Sequence, residues 1–290
     1  MKFKNLLFAL VITSSFISCS KDATTPAPLN IAAKTMNDTS YGVNALQKMD
    51  IYLPANRSTA TTKVIILIHG GGWTSGDKSD FISLGLIDTL KKRLPDYAIV
   101  NINYRLAAFP SSNPFPTQEL DTKAAVDFIY GNRSNYLISD KFVLLGASAG
   151  GHLALLEAYK YHSPVNIKAV VDLYGPTDMA DMYNNPGSYP PALIAALLSG
   201  TPTTNPTLYQ QSSSINFVNA SSCPTIVLQG ALDPLVNPTT QSLALVTKLT
   251  AATVINQYVL YPLVAHGPWD VATSSDAYDK IQAFLKANVH

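Results

Sequence analysis

The chain has 290 residues, 20 Lys and Arg against 19 Asp and Glu, and a charged fraction of only 13%. That length is enough for one large domain or two small ones, and a core of this size is stable without disulfides or metal ions. The formal net charge of +1 excludes a strongly basic nucleic-acid interface and does not favour acidic polymers as substrates, so a neutral ligand fits best.

The first residues have the pattern of an export signal. Two lysines precede an apolar run over 6–12 that is too short to span a bilayer. The run ends at a small residue followed by Cys19, which is similar to the lipobox of bacterial lipoproteins. We therefore predict a signal peptide at 1–18, lipidation of Cys19 and a tether over 19–34. The mature protein would then be exported and lipid-anchored to the bacterial envelope; an ordinary cleaved signal peptide is the alternative.

Strand-like and helix-like stretches alternate from residue 35 to 290. The run VIILIH at 64–69 is apolar without alternation, which is typical of a strand buried on both faces. We predict strands at 48–53, 64–69, 97–104, 141–145, 169–173, 225–229 and 256–260. We predict helices at 81–94, 119–130 (apolar positions Leu120, Ala124, Val126 and Phe128), 152–159, 242–250 and 277–287. Such alternation indicates an α/β fold with a mostly parallel central sheet and helices on both faces.

The segment at 180–217 breaks this alternation. It contains five prolines around one short apolar run, Leu193 to Leu198. Long irregular segments in compact domains are usually functional. We predict a small insertion over the carboxyl edge of the sheet that acts as a lid or pocket wall, with a packed connector as the equal alternative.

The turn after the strand at 141–145 has the sequence Gly-Ala-Ser-Ala-Gly, centred on Ser148. A sharp strand-to-helix turn forces its central residue into a strained conformation, and the neighbours have to be small so that strand and helix can pass each other. Such a turn exposes the serine hydroxyl and points the first N–H groups of the helix towards it, where they favour negative charge. We predict that Ser148 is a nucleophile.

A run of three glycines follows the strand at 64–69. Acyl transfer builds negative charge on an oxygen, and loss of one preorganised N–H donor for that charge costs about 2.7–4 kcal/mol. We predict the N–H groups of Gly71, Gly72 and Ala149 as donors, without deciding which two act. Trp73 is expected to pack under this loop with one edge on the acyl pocket, and Trp269 is a second candidate for the substrate pocket.

A serine nucleophile needs an adjacent base and an acid that orients the base. His266 stands in a late loop from which it can reach Ser148. Asp233 follows the strand at 225–229 and completes the chain order Ser, Asp, His. Asp270 is too near His266 in sequence to reach it easily, and Asp178 is expected to shape a loop. The remaining histidines are predicted to be structural or on the surface: His69, His152, His162 and His290.

Several motifs are spread along the chain. They are HGGGW at 69–73, NYR at 103–105, GASAGGHLA at 146–154, YGPTD at 174–178, LLSGTP at 197–202, GALDPLV at 230–236 and HG at 266–267. Together they resemble the α/β-hydrolases of the hormone-sensitive-lipase-like and BD-FAE-like esterase group, and the similarity runs from about residue 51 to 284. Ala147 stands where many lipase-like members have Asp, which favours the BD-FAE-like branch.

This resemblance implies the α/β-hydrolase fold and a carboxylic-ester hydrolase without metal or cofactor. It also implies small neutral esters as substrates, with acetylated polysaccharide fragments as one candidate; the lack of a large N-terminal cap argues against long-chain lipids. The expected membrane contact is the lipid anchor alone, and the oligomeric state is left open. Two alternatives remain: a serine peptidase of the same fold, and a catalytically inactive binding module.

Overall fold

The computed structural model describes residues 30–110, 112–162 and 164–290. The predicted signal peptide and Cys19 therefore lie outside the described residues. The end of the predicted tether is described and is attached to the domain. The N–H of Asn56 donates to the Ile31 carbonyl over 2.8 Å, and the Arg57 guanidinium donates to the Ala32 carbonyl over 2.7 Å.

Eight strands of the described chain form one sheet. They are β1 (Lys34–Ser40), β2 (Lys48–Leu53), β3 (Lys63–Ile68), β4 (Tyr97–Ile102), β5 (Phe142–Ala147), β6 (Ile167–Leu173), β7 (Thr225–Gly230) and β8 (Asn256–Tyr261). The order across the sheet is β1-β2-β4-β3-β5-β6-β7-β8. The pairs β1–β2 and β2–β4 are antiparallel, and all other neighbours are parallel. The predicted fold class is confirmed.

The described α-helices cover both faces of this sheet and its carboxyl edge. They are α1 (Ser79–Ser83), α2 (Leu86–Arg93), α3 (Thr117–Gly131), α4 (Arg133–Tyr136), α5 (Ala149–Lys160), α6 (Met179–Asn184), α7 (Pro191–Leu197), α8 (Pro206–Ser212), α9 (Ala244–Ala251) and α10 (Val271–Asn288). A 3-10 helix spans Ser214–Phe217, and a π-helix, Pro238–Leu243, leads into α9.

Strand β3 shows why the central strands lack an alternating pattern. Alternate side chains of a strand point to opposite faces of the sheet. Val64, Ile66 and Ile68 pack in the cluster that includes α5, whereas Ile65 and Leu67 pack in the cluster that includes α2 and α10. All five are fully buried, and each contributes roughly 1.5–3 kcal/mol relative to an exposed position. Both faces of this strand therefore require apolar residues.

Two of the helix predictions are wrong in detail. The helix predicted over 81–94 is divided into α1 and α2, because Gly85 adopts φ 68° between them and a left-handed residue cannot continue a right-handed helix. In α3, Leu120 was placed on the apolar face but is half exposed. The buried apolar residues are Ala125, Val126 and Ile129, so the predicted stripe combined positions from two faces.

Strand β1 and the helices α4, α6, α7 and α8 were not predicted. The sequence of β1, KTMNDTS, is polar and mostly exposed because this strand forms the edge of the sheet and pairs on one side only. The four helices have four to seven residues each, too short for a clear helical period. Hydrophobic periodicity in the sequence is too weak to predict such elements.

Two further features concern the described residues. Cys223 is buried, and burial raises the pKa of its thiol to about 12, so the thiol stays protonated at neutral pH. Within the described part of the chain, we find no helix that combines the length and the apolar character needed to cross a bilayer.

Candidate active site

The turn between β5 and α5 places Ser148 at the carboxyl edge of the sheet. Its backbone has φ 54° and ψ −120°, a strained combination for a residue with a side chain. The turn is held by the N–H of Ser148, which donates to the Leu173 carbonyl over 2.8 Å. A Cβ on Gly146 would lie 2.1 Å from the Gly150 carbonyl oxygen, and one on Gly150 would lie 2.0 Å from the Ile68 carbonyl oxygen. The neighbours of the serine therefore have to be small, as predicted.

Two loops bring an imidazole and a carboxylate to this serine. His266 follows β8 and Asp233 follows β7, next to β8 in the sheet. The His266 Nε2 atom lies 2.9 Å from the Ser148 Oγ atom, and its Nδ1 atom lies 2.7 Å from the Asp233 Oδ2 atom. The three predicted side chains thus form one hydrogen-bonded row.

The Asp233 carboxylate is buried and fully engaged. Oδ1 accepts hydrogen bonds from the backbone N–H groups of Leu235 and Val236, at 2.8 and 2.9 Å. Oδ2 accepts from the Gln229 amide at 2.8 Å as well as from His266. Burial by itself would raise the pKa of Asp233, but the hydrogen bond and charge of His266 and the two backbone N–H groups outweigh it, so the pKa lies below the ordinary value. The carboxylate therefore stays ionised at neutral pH.

The other two candidate acids cap helices instead. Asp270 is exposed, and its carboxylate accepts the N–H groups of Ala272 and Thr273 at the start of α10. Asp178 accepts the N–H groups of Ala180 and Asp181 at the start of α6, so it shapes the loop after β6, as expected. Neither carboxylate reaches His266.

The glycine loop after β3 lies against the serine turn. A Cβ on Gly70 would be 3.3 Å from the Ser148 Cβ atom. Gly71 and Gly72 have φ values of 104° and 56°, which favour glycine. Within the described residues, no protein group accepts a hydrogen bond from the N–H groups of Gly71, Gly72 or Ala149. These three backbone donors are thus unpaired within the described structure, and Gly71 and Gly72 line the same cavity as Ser148.

His69 and Tyr104 hold this loop from below. The two rings stack with centroids 4.3 Å apart, and the Tyr104 hydroxyl donates to the carbonyls of His69 and Gly70 at 3.1 Å each. The His69 Nδ1 atom lies 2.8 Å from the Gly70 carbonyl oxygen. His69 therefore organises the loop, as predicted.

Trp73 packs under the loop with His152. It is 1% exposed, and its indole N–H donates to the His152 Nδ1 atom over 3.2 Å. The His152 Nε2 atom lies 2.6 Å from the Ser212 carbonyl oxygen, so the imidazole proton is on Nε2. Burial lowers the pKa of His152 to about 4 and keeps the ring neutral. His152 is thus structural, as predicted.

A cavity of about 670 Å³ opens above Ser148, and Trp73 forms part of its wall. Met182, Tyr189 and Leu193, all from the 180–217 segment, line it on one side. The Tyr189 hydroxyl donates to the Gly72 carbonyl over 3.3 Å. Residues of the insertion therefore form part of the wall of the cavity above Ser148.

The BD-FAE family model matches residues 49–249, which include Ser148, Asp233 and the glycine loop. The chain belongs to the BD-FAE family. The predicted resemblance is confirmed. His266 lies outside the matched residues, and only the folded chain joins it to the other two side chains.

Relatives of this BD-FAE chain include two proteins of Mycobacterium tuberculosis. Esterase LipQ is 28% identical over 86% of the chain and 61% of its own length. The probable carboxylic ester hydrolase LipM is 29% identical over 78% of the chain and 56% of its own length. The chain thus spans about 60% of the length of these curated relatives.

Solved structures similar to this BD-FAE chain include a truncated form of a carbohydrate esterase from gut microbiota. The TM-score is 0.73 with 24% identity, over 89% of this chain and 98% of that one. A bifunctional GH43-CE protein of Bacteroides eggerthii gives a TM-score of 0.72 with 26% identity, over 86% of this chain and 38% of that one. Both similarities agree with the fold described above.

The second predicted pocket residue of the BD-FAE chain lines an adjoining cavity. Trp269 does not line the cavity above Ser148 but faces a neighbouring one. Its indole N–H donates to the Ala265 carbonyl over 3.0 Å, within the loop that carries His266. Trp269 is only three residues from His266, and this short distance along the chain does not predict which of the two cavities its ring lines.

Sequence reasoning also missed two residues that hold the row of side chains. The Tyr174 ring lies edge-on to the His266 ring, with centroids 4.6 Å apart. Gln229 binds Asp233, and its own carbonyl oxygen accepts the Ser242 hydroxyl over 2.7 Å. Their positions in the sequence could have indicated both residues. Each lies at or just after the end of a central strand, at the sheet edge where the site forms.

Proposed function

We propose that the chain is a serine carboxylesterase of short-acyl esters that works through an acyl-enzyme. The observation that carries the proposal is the single imidazole that bridges Ser148 and Asp233, at 2.9 and 2.7 Å. The similarity to LipQ and LipM supports ester hydrolysis. The serine mechanism and the substrate are inferred from the chemistry of the site.

In the first step, the Ser148 hydroxyl attacks the ester carbonyl carbon and His266 Nε2 takes its proton. The ionised Asp233 accepts the Nδ1–H of His266, which holds the tautomer that leaves Nε2 free as the base, and stabilises the imidazolium that forms. The carbonyl oxygen becomes an oxyanion beside the free N–H groups of Gly71, Gly72 and Ala149.

Collapse of this intermediate breaks the bond to the alcohol, which receives the proton from His266 and leaves. The acid part stays on the Ser148 oxygen as an ester. Water, deprotonated by His266, then attacks that ester and regenerates the serine. The two steps use one base and the same oxyanion donors.

The cavity wall supports a short acyl group. Tyr189 lies directly over the glycine loop, because a Cβ on Gly72 would be 2.8 Å from its hydroxyl oxygen. Met182, Leu193 and Trp73 make the same side apolar. A short acyl chain such as acetate fits beside the oxyanion donors under this wall. Acetylated polysaccharide fragments are the substrate class that we propose.

The test is hydrolysis of p-nitrophenyl acetate by the mature protein. Ser148→Ala should lower kcat by at least about 10⁴-fold, since removal of a triad nucleophile has that effect in other serine hydrolases. Ser134→Ala, an exposed serine on α4, is the matched control and should keep the wild-type rate. Wild-type activity on an aminoacyl p-nitroanilide but not on the ester would favour a peptidase. No activity on either by the folded protein would favour a binding module.

Export and lipid anchoring through Cys19 remain part of the proposal. They are supported by the apolar run over 6–12 followed by a small residue and Cys19. Expressed in a bacterium, the full chain should incorporate labelled palmitate and sediment with membranes. Cys19→Ala should lose both properties. An unlabelled wild-type chain in the soluble fraction would contradict the anchor.

A further inference from the structure

A second cavity of about 550 Å³ lies beside the one above Ser148. The two share five wall residues, Phe81, Ser83, Leu84, Tyr174 and Pro268. They are therefore adjoining parts of one depression. The ester chemistry proposed above uses only the first part, and it leaves the second without a role.

The loop that carries the base also connects the two cavities. His266 lines the first cavity, Pro268 lines both, and Trp269 lines the second. In ester cleavage the leaving alcohol takes its proton from the base, so it has to lie on the His266 side of the serine. The Tyr189 wall with the oxyanion donors receives the acyl side. A large alcohol that leaves on the His266 side is directed towards the second cavity.

The second cavity offers a fixed aromatic ring. Trp269 is half-buried, and its N–H is already bound by the Ala265 carbonyl over 3.0 Å. Tyr174 and Tyr261 contact the ring edge-on, with centroids 5.1 and 5.0 Å away. The ring is thus held in place before any ligand arrives, and a flat apolar surface on a ligand can pack on it at low entropic cost.

The second cavity is also lined by hydroxyl side chains. Ser83, Thr89, Ser274 and Ser275 line the cavity. The Thr89 hydroxyl donates to the Gly85 carbonyl over 2.9 Å, and that of Ser274 donates to the Trp269 carbonyl over 3.2 Å. Their oxygens therefore keep lone pairs that accept hydrogen bonds from a ligand hydroxyl.

The charge in this cavity is balanced. Arg93 is the cation among the described residues that line it, and its guanidinium is paired with the Asp279 carboxylate. The same lining contains no carboxylate. A ligand with many hydroxyls, an apolar face and no charge fits this combination better than an anion or a plain hydrocarbon.

We propose that the second cavity binds a neutral sugar ring in the alcohol part of the ester, with Trp269 as its stacking surface. The sugar places its C–H face on the indole and its hydroxyls against Ser83, Thr89 and Ser274. This inference rests on the proposed esterase function. Trp269 acts here in substrate binding and does not touch the reacting atoms.

The kinetic test compares two acetate esters that differ in the alcohol. Methyl β-xyloside monoacetate has a sugar as its alcohol part, whereas the alcohol part of ethyl acetate is too small to extend into the second cavity. Trp269→Ala should raise KM for the xyloside ester about tenfold, because one sugar face loses its apolar contact. The kinetic constants for ethyl acetate should stay within about twofold. Trp269→Phe keeps an aromatic face but loses the N–H, and it should restore most of the lost affinity.

The outcomes separate the two proposals. If the wild type cleaves neither ester, the esterase function itself fails. If it cleaves both and Trp269→Ala weakens both equally, the tryptophan only supports the His266 loop, and the sugar site is refuted. If phenethyl acetate depends on Trp269 and the xyloside ester does not, the cavity binds an aryl group, and the sugar assignment is wrong.

A binding experiment tests the cavity without catalysis. Titration of the Ser148→Ala protein with methyl β-xyloside, followed by calorimetry and by tryptophan fluorescence, should give saturable binding. The additional Trp269→Ala change should weaken that binding about tenfold. Equal binding with and without Trp269 would overturn the proposal, whatever the ester assays show.

Discussion

Asp233→Asn is the change that tests the proposed site most directly, because it removes a charge and almost no volume. The present carboxylate accepts two backbone N–H groups on Oδ1, and accepts Gln229 and His266 on Oδ2. An amide has one oxygen and one NH₂ group, so it cannot accept at both positions. The two orientations of the amide have different costs.

With the amide oxygen kept on the side of Leu235 and Val236, the NH₂ group faces Gln229 and His266. His266 can then satisfy it only by changing tautomer, which puts the proton on Nε2 and removes the base from Ser148. With the amide reversed, the NH₂ group faces two buried backbone donors, and each unsatisfied donor costs about 1–3 kcal/mol. In the first orientation only the Gln229 NH₂ group loses its acceptor, so this orientation costs less and is preferred.

We therefore expect a folded protein with the wrong imidazole tautomer. The same substitution in a serine protease lowers kcat about 10⁴-fold, which corresponds to roughly 5 kcal/mol of transition-state stabilisation. The measurement is kcat on p-nitrophenyl acetate at neutral pH, with the thermal melting curve as the check on folding. Asp270→Asn is the matched control, since that exposed cap keeps its function as Asn. A folded Asp233→Asn protein within tenfold of the wild-type rate would refute the assigned role.

Three further predictions follow from other contacts of the site and its supports. Gly72→Ala should lower kcat/KM at least tenfold, because its Cβ would lie 2.8 Å from the Tyr189 hydroxyl oxygen and would shift an oxyanion donor. Gly85→Ala is the control, because Gly85 also has a positive φ, 68°, but has open space around it. It should lower the melting temperature through the same backbone strain and keep full activity. Tyr189→Ala should raise the ratio of octanoate to acetate ester hydrolysis, since it removes the wall over the glycine loop, and an unchanged ratio would place the acyl group elsewhere. Burial raises the pKa of Asp172 to about 8, whereas an unfolded Asp titrates near 3.9. The folded state thus holds a proton that the unfolded chain has lost, and stability from this group falls as pH rises between these values. Melting curves should show Asp172→Asn more stable than the wild type at pH 8 by a few kcal/mol, with the difference shrinking towards pH 4.

Much of the fold was predictable because its signals are local or repeated. The central strand β3 is buried on both faces and contains an unbroken apolar run, and seven of the eight strands were predicted from their aliphatic and aromatic residues. The edge strand β1 has one exposed side and a polar sequence, and it was missed. The break at Gly85 was missed as well, because the flanking apolar spacing is compatible with one continuous helix.

The sequence by itself determined the parts of the site that lie within one short segment. The small residues around Ser148 follow from the crowding of one turn, and the glycine loop follows from the need for positive φ and close approach. Only the tertiary structure decided the relations between segments. The contact of His266 with Ser148 spans 118 positions, and Trp269 lines the cavity next to the one above Ser148. Neither position can be predicted from the neighbouring sequence, because the order of the strands and the packing of the loops determine both.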